Sequence, residues 1–405
     1  MPAASPVSGT TGTPAGRRLR VLLTGHLHVN RLNRRKLDFL AADPGLEVHL
    51  LVPHHWRGSV GDEYWPAREP FPDGYTQHVH RVLFEGQNRL HLYVYRPGLR
   101  RLLSRISPDI VHVEEEPYSL GAFQLAFTLQ SLGKPFLFTS YQNLLKRYPP
   151  PFRQMERYVL RRAIAATVGS EANVQVLRHK GFTGRIARIT YGVDPTFYSQ
   201  QPAERLRERL ALDGLVVGYV GRLVPMKGIA TLLKACQHLS GPVTTLLIGS
   251  GPLEREVEAA VRACGPGQRV VWVKGLVHEE IPRYLSAMDC LVLPSVTTPT
   301  IKEQFGRVLL EAMSCEVPVI GSSSGEIPNV IGDAGIVFPE GDHEALARIL
   351  NDFLMHPSRR WFLGALGRAR VVEHYSWETI ARDLARLYKE LAGGMELARV
   401  PSPAA

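Results

Sequence analysis

The chain has 405 residues, 44% hydrophobic and 21% charged; this is ordinary globular composition, which excludes a disordered or fibrous protein, and the length is too great for one core. Two domains are expected. The formal charge of +10 is lopsided: residues 1–200 hold 26 Lys/Arg against 15 Asp/Glu, a net +11, and residues 201–405 hold 22 against 23, a net −1. Basic clusters at 31–35, 96–105 and 146–162 suit phosphates or an anionic membrane face as well as they suit a solvated surface. They are not accompanied by an RNA- or DNA-binding motif, so no nucleic acid partner is expected.

From the N-terminus, residues 1–16 lack the basic and apolar regions of a signal peptide and read as a flexible tail. Strand-like runs then follow at 19–25, 46–53, 109–115, 134–140, 165–170 and 185–193, with amphipathic stretches such as 119–133 between them. After a polar segment near 200–213 the alternation restarts at 216–222, 244–251, 270–275, 290–295 and 318–324. Near-continuous apolar strands alternating with helices predict α/β architecture, with parallel sheets that bind ligands at the carboxyl ends of their strands. Two such units in tandem create a cleft. Helices are expected at 342–356, 358–372 and 376–392, the last with Ile380, Leu384, Leu387 and Leu391 on one face. No run of about 18 apolar residues occurs, so no spanning helix is expected, and a cytoplasmic location follows as the expectation. Cys236, Cys264, Cys290 and Cys315 lie in apolar or helical segments without metal-ligand spacing, which predicts buried thiols and no metal site.

Three motifs of the second half carry chemistry. In "GYVGRLVPMKGIATLLKA" (218–235) a strand delivers Arg222, and Lys227 with Gly228 opens a helix. Glycines allow close backbone approach, the helix start attracts anions and two cations are added, so the segment reads as a diphosphate cradle. "LIGSGPLE" (247–254) places Gly251 in a similar loop, where a tight turn explains the glycine equally well. In "IKEQFGRVLLEAM" (301–313) Glu303 precedes a helix expected from Gly306, and Glu311 lies inside it. Eight residues of helix separate two side chains by about 80° around the axis, which suits separate jobs rather than joint action. Free amides around Phe305, Gly306 and Arg307 would face an anion while the acids accept from sugar hydroxyls. On spacing alone, a helix-start acid and a solvated helix residue fit as well.

"GRLVPMKG", the E-x7-E of "EQFGRVLLEAM" and "GSSSGEIPNVIGDAGIVFPEGD" (321–342), in that order, resemble the donor-domain signature of retaining GT-B glycosyltransferases, family 4. The resemblance implies a GT-B fold, with two Rossmann-like doubly wound domains facing across a cleft and a C-terminal helix crossing back to the first. The boundaries expected on that basis are an acceptor-side domain at 17–200, a donor-binding domain at 201–373, the returning helix at 374–394 and a tail at 395–405. It implies a nucleotide-sugar donor, a glycan, lipid-linked or small-molecule acceptor, and neither cofactor nor metal. Arg222 and Lys227 would hold the diphosphate, Glu303 the transferred sugar and Glu311 the ribose. Gly25, Gly251, Phe305, Gly306, Arg307 and Val308 would complete the donor site.

The acceptor side departs from the family pattern. "TGHLHVN" (24–30) has Gly25 alone where a glycine pair is usual, and in "PDIVHVEEEPYS" (108–119) Glu115 stands where members often have a histidine. His112 reads as a core residue. His28, Glu115, Gln142 and Asn143 are the acceptor-side candidates. A non-catalytic nucleotide-sugar binder and a nucleotide-sugar epimerase remain open on the same scaffold.

Overall fold

The computed structural model describes residues 17–57, 63–64, 74–86 and 89–399. The expected N-terminal tail and the chain beyond Arg399 lie outside the described residues. Within them, the first sheet has seven parallel strands: β1 Leu19–Thr24, β2 Leu46–Pro53, β3 Thr76–His80, β4 Ile110–Val113, β5 Phe136–Ser140, β6 Ala165–Val168 and β7 Arg185–Arg188. Their spatial order is β7-β6-β5-β4-β1-β2-β3. The second sheet has six, all parallel: β8 Leu215–Val220, β9 Val243–Ile248, β10 Gln268–Val273, β11 Cys290–Leu293, β12 Val319–Ser322 and β13 Gly335–Phe338. Their order is β10-β9-β8-β11-β12-β13.

Both orders reverse direction beside the first strand, which places a topological switch point between β1 and β4 and another between β8 and β11. Ligands of doubly wound sheets bind there. Interior strands such as β4 and β9 are buried throughout, which is why they read as apolar runs. The edge strands β3, "TQHVH", and β7, "RIAR", are half exposed and polar, so patterning passes over the first and overextends the second to residue 193.

The chain crosses between domains twice. At the crossings Val193 N–H donates to Tyr375 O (2.9 Å) and Trp377 N–H donates to Val193 O (3.0 Å), binding the outgoing and returning strands to each other. The returning helix, Trp377–Arg399, runs past the expected end at residue 394, so 395–399 are helical rather than tail. Its Ile380, Leu384, Leu387 and Tyr388 are buried in the first domain's core. Burying an aliphatic or aromatic side chain contributes roughly 1.5–3 kcal/mol, so this seam fixes the helix on the first domain. Cys236, Cys290 and Cys315 are buried as expected, whereas Cys264 is half exposed.

His112 on β4 joins the sheet to that helix. Its Nδ1 shares a hydrogen bond with the Tyr388 hydroxyl (2.7 Å), and its Nε2 lies 2.9 Å from Thr139 Oγ1 and 3.1 Å from Thr167 Oγ1. Burial lowers its pKa from 6.5 to about 4 despite the nearby Glu114. Between those values the unfolded chain takes a proton that the folded chain refuses, so stability falls as the pH falls, by at most about 1.4 kcal/mol per unit. Urea unfolding between pH 7 and pH 5 is expected to show a shallower loss in His112→Gln than in the parent; equal slopes would contradict this.

Candidate active site

At the second switch point, β8 ends at Val220, and Gly221 and Arg222 follow. Residues Pro225–Lys227 make a short 3-10 turn, and Gly228 caps the helix Ile229–Gln237. Gly228 has φ of 66°, and a Cβ there would lie 1.8 Å from the Pro294 carbonyl oxygen, so only glycine lets this loop lie against the end of β11. The contact brings Lys227 to Glu303: Nζ donates to Oε2 at 2.5 Å, and the Ser295 hydroxyl donates to the same oxygen at 2.7 Å. Glu303 is buried and lies in the loop before the helix Arg307–Ser314. Arg222 is exposed, and among the described residues its guanidinium has no hydrogen-bond or ion-pair partner. One cation is therefore held against a carboxylate, and another is exposed in the same loop at the end of β8.

The rest of the 301–306 loop is anchored by shape. The Phe305 ring is buried within 5.6 Å of Tyr191 and 6.0 Å of Tyr375. Gly325 has φ of 60°, and a Cβ there would come within 1.9 Å of the Glu303 carbonyl oxygen. Gly306, with φ of 84°, caps the helix without a side-chain acceptor; the Leu309 N–H turns back to Gly306 O (2.9 Å), and among the described residues the Arg307 and Val308 amides have no acceptor and can meet an anion. Arg307 lies over the Tyr191 ring at 5.4 Å, and Val308 is half-buried against the domain core. Gly251 packs on the neighbouring loop, where a Cβ would meet Leu223 O at 2.5 Å. Its helix begins only at Glu254.

Glu311 points elsewhere. It lines a cavity of about 270 Å³ whose walls come from both domains: Arg34, Arg35 and Asp38 from the first, His278, Arg307 and Glu311 from the second. The rings of Phe197 and His278, also in that wall, stack at 5.0 Å and 5°. Burial holds the Glu311 carboxyl above its ordinary range, with Arg307 and Tyr198 opposing. The two acids of the E-x7-E thus face different spaces, one at the strand ends and one in the cavity.

Across the cleft, the acceptor-side candidates divide. Gly25 follows β1 in extended conformation, and a Cβ there would lie 2.8 Å from Glu114 O, closing the first switch point tightly. His28 is only 1% exposed, and its Nε2 contacts Glu114 Oε2 at 2.9 Å, so it belongs to the interior rather than to an acceptor surface. Burial works against the Glu114 charge, yet Lys36 and His28 hold its carboxyl well below the usual range. Gln142 is also engaged internally, donating to Glu116 Oε2 (3.1 Å) and accepting from Lys180 Nζ (2.8 Å). Asn143 reaches across instead: its Nδ2 donates to Glu303 O at 3.0 Å, while Gln304 Nε2 donates to Tyr141 O at 3.0 Å. Glu115 is buried and bonded to His26, a residue that motif reading passed over. Sequence placed two histidines in "TGHLHVN", but only the 3-10 turn His26–Val29 decides which one meets Glu115.

Residues 6–197 match the family model "Glycosyltransferase Family 4", and residues 200–370 match "Glycosyl transferases group 1". The 2-deoxystreptamine glucosyltransferase of Streptomyces kanamyceticus is 30% identical over 270 residues, 61% of this chain and 68% of that protein. The chain belongs to glycosyltransferase family 4. A GDP-mannose-dependent alpha-(1-6)-phosphatidylinositol monomannoside mannosyltransferase of Mycolicibacterium smegmatis is 31% identical over 217 residues, 51% of this chain. The match spans 57% of that relative's length, so this family 4 chain aligns with little more than half of it. Among solved structures, sucrose-phosphate synthase from Thermosynechococcus elongatus superposes with a TM-score of 0.66 at 23% identity, over 93% of this chain and all of that one. Anabaena HepE in complex with UDP gives 0.66 at 18% identity, over 92% and 100%. These likenesses give the GT-B fold.

Proposed function

We propose that the chain transfers a sugar from a UDP- or GDP-sugar to a hydroxyl of a glycan, lipid-linked or small-molecule acceptor, with retained anomeric configuration and without a divalent metal. The observation that carries the reading is the Lys227–Glu303 pair at the β8/β11 switch point, with Arg222 exposed in the same loop after β8. Family membership supports it, as do relatives whose names include a GDP-mannose-dependent mannosyltransferase and a 2-deoxystreptamine glucosyltransferase.

In this reading, the bond from the anomeric carbon to the diphosphate breaks, its electron pair goes to the diphosphate, and the acceptor oxygen bonds the same face of that carbon. The acceptor proton passes to a diphosphate oxygen. Arg222, Lys227 and the free amides at Gly306 and Arg307 stabilise the growing negative charge, a preorganised electrostatic role that needs no strong protein base. Glu303 accepts from hydroxyls of the transferred sugar, and Glu311 from the ribose diol in its cavity.

We place the protein in the cytoplasm, in peripheral contact with anionic lipid. Among the described residues no helix is long and apolar enough to cross a membrane. The first domain, however, exposes Arg153, Arg157, Arg161 and Arg162 on the helix Phe152–Arg162, beside Phe127, which is 59% exposed. Cations around an apolar side chain suit a negatively charged bilayer surface.

A donor screen that follows UDP or GDP release is expected to find one productive sugar nucleotide. Lys227→Ala and Glu303→Ala should each lower turnover by about 10²–10³-fold; rates near the parent in both would refute the assignment. Donor isomerised without acceptor would instead indicate an epimerase, and tight donor binding without transfer or hydrolysis a binding protein. Liposome flotation should recover the protein with vesicles that contain anionic lipid, and high salt should release it. Equal recovery with neutral vesicles would reject the lipid contact.

A further inference from the structure

The helix Pro357–His374 packs on the helix Arg307–Ser314, and its side chains are arranged the wrong way round for a surface helix. Leu363, Gly364, Gly367 and Val371 face inward. A Cβ on Gly364 would lie 2.2 Å from Glu316 O, and one on Gly367 would lie 2.9 Å from Met313 Cγ, so the helix sits close to its neighbour and in one rotation only. The arginines beside that seam are bonded inward as well. Arg368 Nη1 donates to Ser314 O, and Arg370 donates to Val330 O (2.9 Å) and Asn329 O (2.8 Å).

The outward face is apolar. From residue 361 to residue 372 the exposed positions of the helix are Trp361, Phe362, Ala365, Leu366, Ala369 and Val372, with no charge among them. At about 100° per residue they form one stripe over three turns. Trp361 is 79% exposed and Phe362 64%. A surface helix ordinarily turns its charges to water and its apolar residues to the protein, and this one does the reverse. With aromatic side chains of roughly 150–250 Å² each, the stripe and the exposed Met355 before it leave on the order of 600 Å² uncovered, the upper end of what a monomer shows to water.

The stripe complements itself. Its bulky rings, Trp361 and Phe362, stand at the N-terminal end, while Ala369 and Val372 lie at the other. A two-fold axis near Leu366 lays two copies antiparallel, with the rings of each over the small residues of the other, the isologous pairing of a closed dimer. Charge agrees with that arrangement. Arg359 and Glu373 are exposed and stand seven residues to either side of Leu366, so the same axis brings the cation of each copy to the acid of the other. Parallel pairing would set like charges together. An anionic bilayer calls for cations around the apolar residues, whereas this stripe ends in an acid and the arginines beside it are bonded within the domain. Two copies joined here bury on the order of 1,000 Å², enough for a specific interface of modest strength.

We propose that the chain forms a two-fold homodimer through this helix face, anchored by Trp361 and Phe362. The pairing goes beyond the transferase reading and does not depend on it.

Sedimentation equilibrium of the full chain is expected to show a reversible dimer of twice the 45.1 kDa chain mass, with a micromolar dissociation constant. The aromatic double variant Trp361→Glu/Phe362→Glu changes exposed positions only; it should keep the circular dichroism of the parent and weaken the dimer about 100-fold or more. Leu366→Cys, close to the axis, should cross-link two chains on mild oxidation. Trp361→Cys should not, because five residues of helix away from the axis hold the two sulfurs roughly 15 Å apart. The parent, with Cys264 half exposed, gives the background. A parent that stays monomeric up to about 100 µM would overturn the assignment, as would a dimer that survives the aromatic double variant. Cross-linking through Trp361→Cys but not Leu366→Cys would overturn the antiparallel pairing. A monomeric parent that floats with vesicles, where the aromatic double variant does not, would overturn the dimer and give the face to a lipid surface.

Discussion

The ion pair between Lys227 and Glu303 is the contact on which the arrangement of the site depends. It joins segments 76 residues apart, at the carboxyl ends of two adjacent strands, and it is largely withdrawn from water. Desolvating both partners costs about as much as their attraction returns, so such a pair is weak evidence of a stabilising device. It is better explained as a polar surface kept ready for a ligand. The backbone around it has little freedom. Gly228 lies on Pro294 and Gly325 lies on the Glu303 carbonyl, contacts that any side chain would push apart. The position of the acid is thus determined by glycine-only approaches from two neighbouring loops rather than by the acid itself.

The two sheets repeat one topology, and each contributes one polar cluster at its switch point. The second domain supplies cations and an acid beside Ser295; the first supplies Glu115 with His26 and Trp56. Asn143 and Gln304 tie the facing loops by hydrogen bonds across the cleft, and the paired crossings at Val193 and Tyr375–Trp377 tie them at the base. The returning helix adds its own anchor through Tyr388 and His112. These links fix the separation of the two clusters, as transfer between two bound substrates in the proposed reading requires.

Much of this was legible in the sequence, for physical reasons that differ by element. Strands buried on both faces announce themselves as apolar runs, so β1, β2, β4, β8, β9, β11 and β12 could be read with errors of a few residues, and the apolar edge strand β10 was read as well. The edge strand β3 could not, because solvent on one side permits polar residues such as those of "TQHVH", and β7 was found but read five residues too long. On the donor side, glycine, cation and acid spacing is local to each loop, and so Arg222, Lys227, Glu303 and Glu311 could be singled out. The acceptor side depends on contacts between distant segments. Gln142 and His28 are polar residues in suggestive motifs, yet Lys180, Glu116 and Glu114 occupy them. His26 lies in "TGHLHVN" but that motif does not point to Glu115, Trp56 belongs to no motif, and the two meet only because the segments after β1 and β2 come together at the end of β4.

The central claim is that the cations at the end of β8 recognise a diphosphate. Calorimetric titration of the parent and of an Arg222→Ala/Lys227→Ala double variant with UDP, GDP, uridine and guanosine addresses it most directly. The account predicts that one nucleoside diphosphate binds the parent much more tightly than its nucleoside, and that the double variant loses this advantage while its affinity for the nucleoside is kept. A double variant that retains the full preference for the diphosphate would contradict it.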